Sequence, residues 1–176
     1  MRDRYLPARY PKVPLGRRSA AFAIDFVAVA LLSSVVALNP LAQSILFLGG
    51  WIGMRVIAVS KNRGQSLGWW ALDIRVVDIR SGSTPDLQTL VRREAIAGLG
   101  AMFALLGVVN LSPAAAWSIL LFLPLGADCG FALVDEADRQ AFHDRFADTI
   151  VVQTRRGYSL DIKLRRLLAQ VKGRVK

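Results

Sequence analysis

Two side chains that carry much enzyme chemistry occur once each, Cys129 and His143. A lone cysteine excludes a disulfide framework. A lone histidine leaves any nucleophilic triad dependent on that one residue. Acidic residues are few, 13 against 23 Lys and Arg, giving a formal charge of +10. Neither a phosphate loop nor a dinucleotide motif is present, so no cofactor is expected. What is abundant is apolar surface. Hydrophobic residues make up 53% of the 176, and mean hydropathy is +0.38. That much apolar surface needs burial, which excludes disorder. The length allows one domain or one small helical bundle, not a large multidomain enzyme.

Apolar and basic residues are segregated, as in a chain with blocks inside a bilayer and blocks outside it. Four apolar blocks stand out: Ser19–Leu38, Leu41–Val59, Ala95–Leu111 and Ala114–Val134. A helix needs about 20 apolar residues to cross the hydrocarbon core, range roughly 17–25. All four qualify, the third only just. Asn39-Pro40 and Ser112-Pro113 separate the blocks within each pair. A capping residue before a Pro at the first helical position is the grammar of a helical hairpin. The expected fold is therefore an all-α membrane protein, a four-helix transmembrane bundle made of two hairpins.

Lys and Arg give the orientation. Residues 1–18 hold six, residues 60–94 hold six and residues 135–176 hold ten; Arg55 completes the set. The short turns hold none. The positive-inside rule then puts both termini and the middle loop in the cytoplasm of a multi-pass cell-membrane protein. A signal peptide is excluded by the length of the first block, by Asp25 within it and by the three blocks that follow. A soluble all-helical fold is disfavoured by the charge-free runs.

Three parts lie outside the membrane. Residues 1–14 contain Pro7, Pro11 and Pro14 and read as an extended cytoplasmic tail. In the middle loop Ala71–Ile79 reads as a strand, and Thr84-Pro85-Asp86 opens a helix that runs into the third span. Thr149–Thr154 is a second β-branched run able to pair with Ile74–Ile79; two lone strands need support from the bundle. Residues 154–176 include a basic amphipathic helix, Ser159–Val175, suited to anionic headgroups of the inner leaflet. The tail lacks aromatic interleaving and any nucleic-acid motif, so nucleic acid is not an expected partner.

Charges inside the spans are the sharpest functional signal. Asp25, Arg55 and Asp128 fall in the inner half of the bundle and can share one layer. Arg18 lies seven residues before Asp25, on the same helix face. Gly49 and Gly53 flank this layer on the second span, and Gly126 and Gly130 on the fourth, each in a G-x-x-x-G spacing that permits close helix approach. Two readings stay open. The charges can form a structural ion pair, since an isolated charge at that depth costs at least ~2.5–3.5 kcal/mol. Alternatively one carboxylate takes a proton or a monovalent cation.

Three segments, in order, resemble the RDD family of small membrane proteins. They are Arg18-Ser-Ala-Ala21-Phe-Ala-Ile-Asp25, then Gly64-Gln65-Ser66-Leu67-Gly68 with Arg75-Val76-Val77-Asp78, then His143-Asp144-Arg145-Phe146-Ala147-Asp148-Thr149. The resemblance spans roughly residues 15–153. It makes Arg18, Asp25 and Asp144 the signature Arg and two Asp. Ser66 and Trp69 stand where the family usually has Thr and Lys. The resemblance implies an integral membrane protein, and transport, including cation–proton exchange, has been proposed for some members.

Other chemistry is set aside. Gly64–Gly68 fits G-x-S-x-G, but a serine-hydrolase elbow needs a strand before it and a helix after it. Here Lys61-Asn62-Arg63 precedes and a strand is expected to follow. The segment reads instead as a flexible cytoplasmic turn, with Trp69-Trp70 as an interfacial anchor. His143, Asp144 and Asp148 are too few for a metal site. Asp144 is expected to cap a helix or to pair with Arg18 or Arg92-Arg93. Cys129 reads as inert packing. The chain is not expected to be an enzyme. The leading expectation is a small cation or solute transporter, proton-coupled at Asp25 with Asp128 second, and a homo-oligomer because four helices are few for a pathway. The alternative is a non-transporting accessory or scaffold protein. A transporter needs a polar route to Asp25, whereas a scaffold seals it.

Overall fold

A computed structural model describes residues 13–36, 39–134 and 139–154. Residues 1–12 of the expected extended tail and the basic surface helix Ser159–Val175 lie outside the described residues.

The first apolar block forms α1, Leu15–Val36. The second forms α2, Pro40–Lys61. Asn39 caps α2 as its sequence suggests, its side-chain oxygen accepting from Ala42 N at 2.8 Å. Inside α2, Gly53–Ala58 is wound as a π-helix. Two long apolar hairpin arms result, α1 packing against α2. Their outward residues, among them Leu31, Leu32, Leu41 and Ile45, are exposed.

The middle loop folds back onto this hairpin rather than floating at the headgroups. Ser66 caps a five-residue helix α3, Leu67–Ala71, and accepts from Trp69 N at 3.3 Å. Gln65, Ser66, Gly68 and Trp69 are all buried, while Trp70 is exposed. The expected flexible turn is thus a packed element, and the expected paired anchor is one core tryptophan and one surface tryptophan. The cause is α1: α3 seats directly on it, so closely that a Cβ on Gly68 would collide with the Ala21 carbonyl. Gly64 makes the preceding turn. Its φ of +83° and the Val76 carbonyl, 2.5 Å from where a Cβ would sit, leave room only for glycine.

After α3 comes β1, Ile74–Asp78, shorter than the Ala71–Ile79 expected, because α3 takes Ala71 and Asp73 turns at φ +58°. It pairs antiparallel with β2, Thr149–Gln153, placing Val76 opposite Val151. The support that two strands require comes from below. Ile74, Val76 and Val151 share one core cluster with Ala21, Val56, Val59, Trp69, Leu72 and Leu90.

Asp86 precedes α4, Leu87–Val109. This is the central helix, packing on both α2 and the last span. Beyond Glu94 its buried face is mostly small residues, Ala97, Gly98, Gly100, Ala101, Ala104 and Gly107, with Leu105 among them. A Cβ on Gly98 would lie 2.8 Å from the Trp51 ring, and one on Gly107 2.8 Å from Phe122. The last apolar block forms α5, Pro113–Val134. Its first part, Pro113–Phe122, is wound as a 3₁₀ helix, and Ala115 departs from helical angles at its start. The one-turn helix α6, Phe142–Phe146, then leads into β2. An aromatic core of Phe22, Phe26, Phe47 and Trp51 closes the middle of the bundle against Ala101 and Leu105.

Among the described residues three helices are long and apolar enough to cross a membrane: Leu15–Val35, Pro40–Lys61 and Pro113–Val134. The third block is the exception. Arg92, Arg93 and Glu94 occupy the first turns of α4 and leave residues 95–109 charge-free. That is about 22 Å of helix against a core of about 30 Å.

Candidate functional site

α1 contributes Asp25, whose position follows from the helix alone. Three elements meet at its carboxylate. Arg55 Nη1 donates to Oδ2 at 2.8 Å, Ser66 Oγ donates to Oδ2 at 2.6 Å, and Gly68 N donates to Oδ1 at 2.7 Å. The side chain has no exposed surface. Arg55 reaches it from the π-wound stretch of α2. A π turn inserts one residue into the helical register, which rotates the side chains around it, and such turns recur at functional sites.

Arg55 also turns to α4. Its Nε and Nη2 donate to Glu94 at 3.2 and 3.3 Å, and Trp51 Nε1 donates to the same carboxylate at 3.0 Å. Glu94 is held on its other side by Arg93 Nη1. Arg93 continues to Asp144 on α6, with Nε donating to Oδ1 at 2.9 Å. Arg18, from the first turn of α1, closes on Asp144 Oδ2 and on the Arg139 carbonyl. Trp69 lies between two of these cations, its ring centroid 4.2 Å from Arg55 Cζ and 4.8 Å from Arg93 Cζ. The result is one hydrogen-bonded chain, Asp25–Arg55–Glu94–Arg93–Asp144–Arg18, which begins and ends on α1.

Asp128 joins this chain at a different point from the one expected. The layer predicted to bring Asp25, Arg55 and Asp128 together forms only for the first two. Asp128 accepts from His143 N at 2.8 Å and faces His143 Nδ1 at 2.5 Å. Arg93 Nη2 lies 3.2 Å from His143 Nε2. A guanidinium only donates, so Nε2 accepts and Nδ1–H faces Asp128. Three arginines therefore balance Asp25, Glu94 and Asp144, and Asp128 pairs with the imidazole.

Asp144 lies outside the spans and is fully buried. Burial opposes its ionisation. The Arg18 and Arg93 guanidinium groups outweigh burial and hold its carboxyl well below the usual carboxylate range.

The glycines expected to bring helices together at the charged layer do something else. Beyond the adjoining backbone of its own helix, nothing lies within 4 Å of a Cβ position on Gly49, Gly53, Gly126 or Gly130. The close approaches belong to Gly68, Gly98 and Gly107, because the packing runs through α3 and α4. Gly126 and Gly130 instead border a cavity of about 300 Å³.

The expected pairing of Asp144 with Arg18 or Arg92-Arg93 forms with both Arg18 and Arg93, whereas sequence reasoning missed Glu94. A signal existed. Glu94, Ala97, Gly98 and Ala101 recur at helical spacing, which puts Glu94 on the buried stripe of α4. Ser66 and Trp69 carried no such signal, since their burial depends on how α3 meets α1. Among the described residues no group of His, Cys, Asp and Glu is arranged to hold a metal ion.

The model of the RDD family matches residues 12–148 of the chain. No curated protein and no solved structure matches it.

Proposed function

The chain belongs to the RDD family, and from that premise we propose a multi-pass membrane protein that acts as an accessory or scaffold rather than as an exchanger built on Asp25. The observation that supports this reading is the closure of Asp25. Its two oxygens accept three hydrogen bonds from Arg55, Ser66 and Gly68, and none of its surface is exposed. A coupling carboxylate needs a polar route for its proton or cation. This one is used up in fastening α1 to α2 and α3.

In the same reading α4 is the fourth crossing. Its buried charges, Glu94 and Arg93, are paired with Arg55 and Asp144 within the bundle, which offsets part of the cost of placing them near the bilayer. The Lys and Arg bias then sets both termini on the cytoplasmic side of the cell membrane. Proton-coupled cation exchange is the second reading. What favours it is that the cavity reaches Arg55, the direct partner of Asp25.

Liposomes carrying purified protein and a pH dye distinguish the two. Challenged with Na⁺, K⁺ or Li⁺, they are expected to show no more proton movement than empty liposomes. Cation-dependent proton flux that disappears in a folded Asp25→Asn variant would overturn the accessory reading and make Asp25 the coupling site.

A further inference from the structure

The cavity of about 300 Å³ is a cleft between α1 and α5. α1 packs on α2 and α3, and α5 packs on α4 and α6. The first and last candidate spans are thus held by other neighbours and stand apart along this gap. Arg18, Arg55, Arg93, His143 and Trp69 are among its lining residues, and of the three arginines Arg18 has the most exposed side chain, 13% against 2% and 1%. Phe22, Leu125 and Leu133 line the same cleft. Among the described lining residues none is Asp or Glu. The carboxylates stand behind the guanidinium groups and fix their positions. Arg55 gives three N–H groups to Asp25 and Glu94, and a guanidinium carries more donors than that.

We propose that this cleft binds a lipid with a phosphate headgroup of net negative charge. The phosphate oxygens meet Arg18, with Arg55 and Arg93 behind it, and the first part of an acyl chain lies along Phe22, Leu125 and Leu133. Guanidinium forks match phosphate oxygens in geometry and charge. Both walls are candidate spans, so an acyl chain leaving the cleft between them continues among lipid tails. The volume stands at the low end of the small-ligand range. It suits a headgroup and excludes a helix about 10 Å across. The attraction is short-ranged, because Asp25, Glu94 and Asp144 already balance the three arginines. Binding therefore depends on direct contact in the cleft more than on a long-range field. This inference stands apart from the accessory reading and holds whether or not the protein transports anything.

The test is native mass spectrometry of the full chain, titrated in detergent with phosphatidylglycerol or phosphatidylcholine. A preference of about tenfold or more for phosphatidylglycerol is expected. Gly126→Phe fills the cleft from a position where a Cβ meets nothing within 4 Å. It is expected to abolish the preference while leaving thermal stability intact. Should that variant fail to fold, Gly130→Leu, one turn along, makes the same test. Excess glycerol phosphate is expected to leave the lipid bound. Equal retention of the two lipids, or an undiminished preference in a folded cleft-filled variant, would overturn the proposal. So would displacement by glycerol phosphate, which would make a soluble phosphate the ligand.

Discussion

Asp144 accepts from Arg93 Nε, from Arg18 Nη2 and from Ala141 N, the last at 3.3 Å. Its carboxyl is held low, so its contribution to stability has a definite sign. A depressed acid stabilises the fold fully above its unfolded value of about 3.9 and loses that contribution as pH falls through the folded value. Stability owed to Asp144 is therefore expected to be constant between about pH 7 and pH 5 and to fall only in strong acid. Thermal melts of wild type and Asp144→Asn across that range check this: the gap between them should stay constant to about pH 5 and close only in strong acid. A gap that already closes near pH 6 would mean the carboxyl is not held low. The signature residues Arg18 and Asp144 are distant in sequence and meet here directly, whereas Asp25 finds Arg55 instead. The family pattern named the residues without naming their partners.

The helices themselves were legible because charge-free runs and Pro-capped turns are local signals. Asn39-Pro40 caps α2, and Thr84-Pro85-Asp86 opens α4, each within a residue or two of expectation. The pairing of β1 with β2 followed from two β-branched runs. The helix contacts were not legible, because a G-x-x-x-G spacing states only that approach is permitted. Which glycine is pressed depends on what stands opposite. This separates two groups of substitutions. Gly68→Ala meets the Ala21 backbone and Gly98→Ala meets Trp51. Both are expected to lower the melting temperature clearly. Gly53→Ala and Gly130→Ala meet nothing. They are expected to be neutral, or to gain about 0.5–1 kcal/mol from the lost backbone freedom of glycine in a helix. Melting curves of the four variants in one detergent check the contrast. Equal effects across the four would contradict the assigned packing.

At the scale of the whole molecule, one ion network crosses most of the structure. It links α1, α2, α4 and α6, reaches α5 through His143 and Asp128, and rests on α3 through Ser66 and Gly68. Composition announced embedded charges but could not show that they were mutually satisfied, because satisfaction is a property of the assembled fold. Arg55 is the middle of the network, bonded to both Asp25 and Glu94. Removing it takes the paired cation from Asp25 and leaves Glu94 to Arg93, a loss of about 3–5 kcal/mol for a broken buried pair. Neutralising those carboxylates in the same chain removes the unpaired charge. The most direct measurement is the unfolding midpoint in lipid nanodiscs of wild type, Arg55→Met, and Arg55→Met combined with Asp25→Asn and Glu94→Gln. A deep loss in the single variant and substantial recovery in the triple variant are the predicted result. A single variant as stable as wild type, or a triple variant no better than the single, would contradict a network whose role is to hold the helices together.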